Sequence, residues 1–153
     1  MKKALNKIFL LALLAVAVEF SRPAVSFAVQ AILLDDAYTK STYPTSKFGT
    51  KLTVVVSSVT TGLLHFDLSS LPAGVTSDNV KSATLTLFAR GTVKAGTFKI
   101  MRVAGAWLEP TVTHNTVPAL GATEVTGIAV APTDSGQFIS IDLTTLVQDW
   151  VDG

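Results

Sequence analysis

The chain has no cysteine and only two histidines in 153 residues. Without a thiol there is no disulfide staple, no cysteine nucleophile and no lipid-modified leader, so an exported fold must be held by its core alone, as bacterial exported proteins often are. His65 and His114 are far apart in sequence, and a single histidine lacking further ligands makes no metal site. No Gly-x-Ser-x-Gly elbow is present to raise a serine nucleophile. Nor is there an apolar run of the ~20 residues that a membrane-spanning helix needs.

What the chain does have begins with a leader. Lys2, Lys3 and Lys7 precede an uncharged apolar run from Ile8 to Val18, and small residues follow at Ser26 and Ala28. This is the pattern of a secretory signal peptide over residues 1–28, cut after Ala28, and the alternative is an uncut N-terminal anchor. The mature part, residues 29–153, is then secreted, is not membrane-bound and suits a single domain.

Removing the leader inverts the charge. The whole chain carries a formal +1, whereas residues 29–153 hold 8 basic and 10 acidic side chains. A negative exported chain is a poor partner for nucleic acid. The charges are also segregated. Lys40, Lys47 and Lys51 lie between Asp36 and Asp67 with no acid among them, and a second acid-free block runs from Lys81 to Arg102. From Glu109 onward there are six acids and no Lys or Arg. Such blocks can form a basic face for an anionic polymer, or can be mixed by folding when distant strands interleave.

The mature chain reads as strands. Residues 31–38, 52–59, 81–89, 97–103 and 136–143 carry β-branched or alternating patterns, separated by Gly, Pro, Ser and Asn clusters. In LLHFDLSSLP, Leu64, Phe66 and Leu68 alternate with His65 and Asp67, which predicts a strand burying the three apolar residues and ending where Asp67 hydrogen-bonds locally. His65 falls on the polar side of that strand. One segment departs from period two: Leu143, Leu146, Val147, Trp150 and Val151 fall at helical spacing, which predicts a short C-terminal helix started by Asp142 or Thr144, with Trp150 plugging the core. The fold class is all-β, an antiparallel β-sandwich with one short C-terminal helix.

WLEPTVTHNTVPALG, from Trp107 to Gly121, reads as a long ordered connection with a brief strand at Thr111–Thr113. Taken in order, LLHFDLSSLPAGVTSDNVKSATLTLF, WLEPTVTHNTVPALG and IDLTTLVQDWVDG resemble the DNRLRE domain, also described as carbohydrate-binding module family 96. The resemblance spans nearly all of the mature chain. It implies a sandwich of jelly-roll type, secretion and sugar binding, with acidic polysaccharides such as alginate as the ligand class. His65 stands where the family has Arg or Lys, and His114 where it has Trp, so any role of those two positions is not carried over. Family members usually continue past the Trp-containing helix into further strands, whereas this chain stops at Gly153. The expectation is a domain incomplete at its C-terminus, through truncation or with a partner chain supplying the missing strands.

Within that reading, the candidate carbohydrate-binding residues are Tyr38, Lys40, Lys47 and Lys51, with Arg90, Lys99 and Arg102 as a second group. Lys and Arg can pair with a uronate carboxylate, and an aromatic ring can stack on a sugar face. Tyr43 and Phe48 belong to the same loop as the lysines. Catalysis is not expected. Asp35 and Asp36 are adjacent on a strand and point to opposite faces, so they cannot converge on one glycosidic bond. No cofactor is implied; a structural Ca²⁺ at those carboxylates would need six or more oxygens that the sequence does not supply. A non-catalytic secreted sugar-binding module is the first reading, and a structural or adhesive unit of an extracellular matrix is the second.

Overall fold

The computed structural model describes residues 28–90 and 94–153. Apart from Ala28, the expected leader lies outside the described residues, as do residues 91–93 of the Gly91–Gly96 turn. The described chain forms six strands and a helix: β1 Ile32–Lys40, β2 Thr60–Asp67, β3 Thr84–Ala89, β4 Gly96–Val103, β5 Leu120–Val130, β6 Gln137–Asp142 and α1 Thr144–Asp152. The strands pair as three antiparallel ladders, β1 with β2, β3 with β6 and β4 with β5. This is the all-β class expected from the pattern, with its one short C-terminal helix.

The β3–β6 ladder follows the sequence closely. Ala83, Leu85 and Leu87 are half-buried while the threonines between them are exposed, and Leu85 lies opposite the buried Ile141. Alternation of this kind fixes the register, since a one-residue slip would turn every apolar side chain to water. Helix α1 is tied to the strand ends by backbone and side chain together. The Leu143 amide donates to the Ala83 carbonyl at 2.8 Å, and the Ala83 amide donates to Thr144 Oγ1 at 3.0 Å. Asp142 Oδ1 accepts from the Thr144 amide at 2.9 Å, satisfying one of the free donors of the first turn.

Four expectations are corrected. Residues 52–59 are not a strand; they run irregularly into a tight turn in which Ser57 and Thr60 exchange backbone hydrogen bonds at 3.3 Å. This segment crosses the face of the β1–β2 ladder instead of joining its edge, because Gly62 leaves room there: a Cβ on Gly62 would lie 2.6 Å from Val54 Cγ1. Thr111–Thr113 is likewise not a strand but the junction of two successive turns, closed on the carbonyls of Leu108 and Thr113. Trp150 is 43% exposed and lies beside a hollow of about 230 Å³ lined by Leu68, Pro72 and Val75 among others, while Leu146 is the helix residue that is buried.

The fourth correction concerns which face of β2 is inside. Leu63 is 1% exposed, whereas Leu64, Phe66 and Leu68 are half-buried. Leu63 lies opposite Ala37 in the ladder, and the two form a core cluster with Val112 of the long connection, backed by Val103, Trp107 and Val117. His65 shares the face of Leu63, two residues along, so it is not on a wholly polar side. Its Nδ1 is 2.9 Å from Asp35 Oδ2, and its ring is 6.4 Å from that of Trp107. Asp67 does make the expected local bonds, accepting from the Ser69 amide at 2.7 Å and its hydroxyl at 2.6 Å.

Three predictions follow from this packing. Leu63→Ala removes the most enclosed side chain of the cluster and is expected to cost about 2–5 kcal/mol in urea unfolding, well above the cost of Leu64→Ala. Thr39, on the same face, is 1% exposed with its hydroxyl unpaired among the described residues. Since an unmet buried hydroxyl costs about 1–3 kcal/mol, the near-isosteric Thr39→Val should raise the unfolding midpoint. The third concerns pH. Asp67, Asp142 and Asp152 are held below the ordinary carboxylate value of 3.8 by hydrogen bonds from Ser69, Thr144 and Ser77 respectively. The unfolded state therefore binds these protons more tightly, so their contribution is present above about pH 4 and is lost as pH falls below it. Thermal melts from pH 6 to pH 2 should show this loss, and Asp142→Asn should make it shallower.

Candidate functional site

The loop from Ser41 to Lys51 leaves β1 and is built by successive turns. The Tyr43 amide donates to the Lys40 carbonyl at 3.0 Å, the Ser46 amide to Tyr43 at 3.1 Å and the Lys51 amide to Phe48 at 3.3 Å. Tyr, Pro, Thr, Ser and Gly favour such turns locally, and Pro44 fixes one φ within them.

Three contacts hold the loop to the rest of the molecule. The Asn115 amide donates to the Pro44 carbonyl at 3.1 Å. Gly49 is buried against the backbone of Glu109 so closely that a Cβ would lie 2.0 Å from its carbonyl oxygen, and only glycine fits. Phe48 stacks on Tyr38 of β1 with ring centroids 4.5 Å apart and an interplanar angle of 17°. The loop is thus docked on the Trp107–Val117 connection and on β1, which restricts its lysines to a defined surface.

The seven sequence-derived candidates fall into different environments. Tyr38 is half-buried and stacked on Phe48, which makes it an anchor of the loop. Lys40 is half-buried and its ammonium lies 4.9 Å from the centroid of the Tyr43 ring, within cation–π range. Lys47 and Lys51 are exposed, and neither has an ion-pair partner among the described residues. Arg90 and Lys99 are exposed at the end of β3 and on β4. Arg102 is committed: its Nε is 2.6 Å from Glu124 on β5 and its guanidinium 2.5 Å from Asp149 on α1. These hydrogen bonds, the one with Glu124 foremost, raise its pKa further above the usual arginine value. Arg102 clamps the β4–β5 ladder to the helix, and its charge is answered within the fold.

Lys47 and Lys51 thus stand on one docked loop with Lys40 at the β1 end of it, whereas Arg102 is engaged elsewhere in the fold. The residue that sequence reasoning underrated is Tyr43, which is 56% exposed and sits between the lysines. Its signal was the Tyr-Pro turn between Lys40 and Lys47, where the residue before proline is held out of helical geometry. Asp35 and Asp36 lie on opposite faces, as strand geometry requires. The first faces His65, and the second donates its backbone amide to Glu109 Oε2 at 3.3 Å. Among the described residues, no group of three His, Asp or Glu side chains is arranged to hold a metal ion.

The family model of carbohydrate-binding module family 96 matches residues 28–153. The chain belongs to carbohydrate-binding module family 96. The match takes in every described strand and the helix, so the resemblance carried by the LLHFDLSSLP, WLEPTVTHNTVPALG and IDLTTLVQDWVDG blocks is one of family. No curated protein matches the chain.

The docking of the family 96 loop gives a direct test of its construction. Gly49→Ala forces a methyl group onto the Glu109 carbonyl and should detach the loop while leaving the β3–β6 ladder folded. Proteolysis within residues 41–51 should accelerate several-fold, and the far-ultraviolet spectrum should change little.

Proposed function

We propose that the protein is a secreted, non-catalytic module that holds an acidic polysaccharide of the alginate class on the basic loop of residues 40–51. One observation carries the reading: Lys47 and Lys51 are exposed in an acid-free loop and lack ion-pair partners among the described residues, whereas Arg102 is neutralised in place. Unpaired cations on a docked loop present a fixed positive potential, and a uronate carboxylate is a suitable acceptor for each ammonium. Arg90 and Lys99 would extend the basic surface, while Arg102 would act only through the fold. Membership of a carbohydrate-binding family supports a sugar as the ligand, and the charge of the loop supports an acidic one.

A second reading is favoured by a different observation. Among the described residues every strand pairs on one side only, and Phe88 and Phe138 form an exposed edge-to-face pair, 5.1 Å between centroids, on the outer face of the β3–β6 ladder. Open edges and exposed aromatics suit a structural or adhesive unit completed by a strand from a partner chain.

Affinity electrophoresis of the mature chain in gels containing alginate or a neutral glucan separates the two. Retardation by alginate alone that weakens with salt, and falls about tenfold or more in Lys47→Ala/Lys51→Ala, is the expected result. Equal mobility in all gels, together with oligomers that grow with concentration, would favour the second reading.

A further inference from the structure

We propose that Tyr43 is the sugar-stacking residue of the basic loop, with Lys40 as its positioning residue. This rests on the reading of the loop as a site for an acidic polysaccharide and assigns the part of binding that charge does not supply.

Three aromatic rings belong to this region, and two of them are occupied. Tyr38 and Phe48 each cover one face of the other and are half-buried, so both are engaged in anchoring the loop. Tyr43 has no ring partner among the described residues and keeps 56% of its surface exposed. An aromatic ring serving only as a loop anchor would be turned inward, as Phe48 is.

The backbone around Tyr43 is fixed on both sides. Its amide is bonded to Lys40, its carbonyl accepts from Ser46, and the next residue, Pro44, accepts from the Asn115 amide. A ring held in this way loses little freedom when a ligand arrives, which favours binding. The Lys40 ammonium over the ring fixes its orientation further and occupies one side of it. The C–H groups on one face of a pyranose carry partial positive charge and pack on the electron-rich face of an aromatic ring. A uronate stacked on the open face of Tyr43 lies across the ring from Lys40, so its carboxylate would look to the exposed Lys47 and Lys51 of the same loop for direct pairing, with Lys40 adding to the local positive potential. Binding then has two components: ammonium–carboxylate pairing, which salt screens, and ring stacking, which it does not.

Binding isotherms of the secreted chain with sodium alginate, taken over a range of salt concentrations, distinguish the two components. Tyr43→Ala should weaken binding about tenfold at every salt concentration and leave the slope of log affinity against log salt unchanged, while Tyr43→Phe retains wild-type affinity. Lys47→Ala/Lys51→Ala should reduce the slope. Lys40→Met should lower both the slope and the salt-resistant part when Tyr43 is present, but only the slope in the Tyr43→Ala background, and Lys40→Arg should restore both. If Tyr43→Ala binds as wild type at all salt concentrations while the lysine variants lose affinity, the assignment of Tyr43 is overturned and the charged-loop reading stands. If the wild-type chain does not bind alginate at any salt concentration, the reading of the loop falls, and this assignment with it.

Discussion

The contact among Ala37, Leu63 and Val112 is the constraint on which the rest of the structure depends. A two-stranded ladder is marginal alone and needs a second layer over its apolar face. For β1–β2 that layer is mainly the connection from Trp107 to Val117, which contributes Val112 to the cluster and packs Trp107 and Val117 beside it, together with Val103 at the end of β4. The connection can do this because two turns, closed on the carbonyls of Leu108 and Thr113, bring Val112 and Thr113 inward. The same connection also supports the basic loop: Glu109 meets Gly49 and the Asp36 amide, and Asn115 meets Pro44. Core packing and presentation of the lysines are therefore mechanically linked, and a change that withdraws Val112 also loosens Tyr43 and Lys47.

How far this was legible in the sequence varies with the physical signal at each element. β3, β6 and α1 could be read because alternation or helical spacing is uninterrupted there, and nothing elsewhere competes with it. For β2 the strand was legible, though it starts earlier, at Thr60, and ends at Asp67 before Leu68; the face was not. Leu63 and Leu64 are adjacent, so the sequence offers an apolar residue to either side, and the choice is made by Ala37, 26 residues earlier in another strand. Residues 52–59 have a β-branched composition, but their path depends on the space left by Gly62, which no local pattern records. β5 was not anticipated, because LGATEVTGIAV mixes small and polar residues, contains two glycines and alternates weakly. It forms through pairing with β4 across several bulges, and Gly127 takes a positive φ of 67° within it.

The loop was visible as a candidate site because its charge and its aromatics are local in sequence, but the role of each residue was not. Tyr38 and Tyr43 look alike in TYPTSKFGTK and its flank, and only the stacking of Phe48 on the first separates anchor from exposed ring. Trp150 shows the same limit in reverse. Its helical spacing placed it with the core, yet Leu146 fills that position and the indole is left at the surface.

The two basic blocks show how folding edits a charge pattern. Arg102 comes from an acid-free stretch, and Glu124 and Asp149 come from a stretch without cations; β5 and α1 carry the acids to the arginine, so interleaving mixes what the sequence had separated. The 41–51 loop escapes this mixing. Glu109, which touches the loop, turns its carboxylate toward the Asp36 amide and presents its backbone to Gly49. Exposed lysines without partners add almost nothing to stability, since even a formed surface ion pair is worth only about 0–1 kcal/mol. Folding thus places no demand for positive charge at Lys47 and Lys51, in contrast to Arg102, whose loss would strand two carboxylates. On the proposed reading, the charge of these lysines serves an anionic ligand and not the fold.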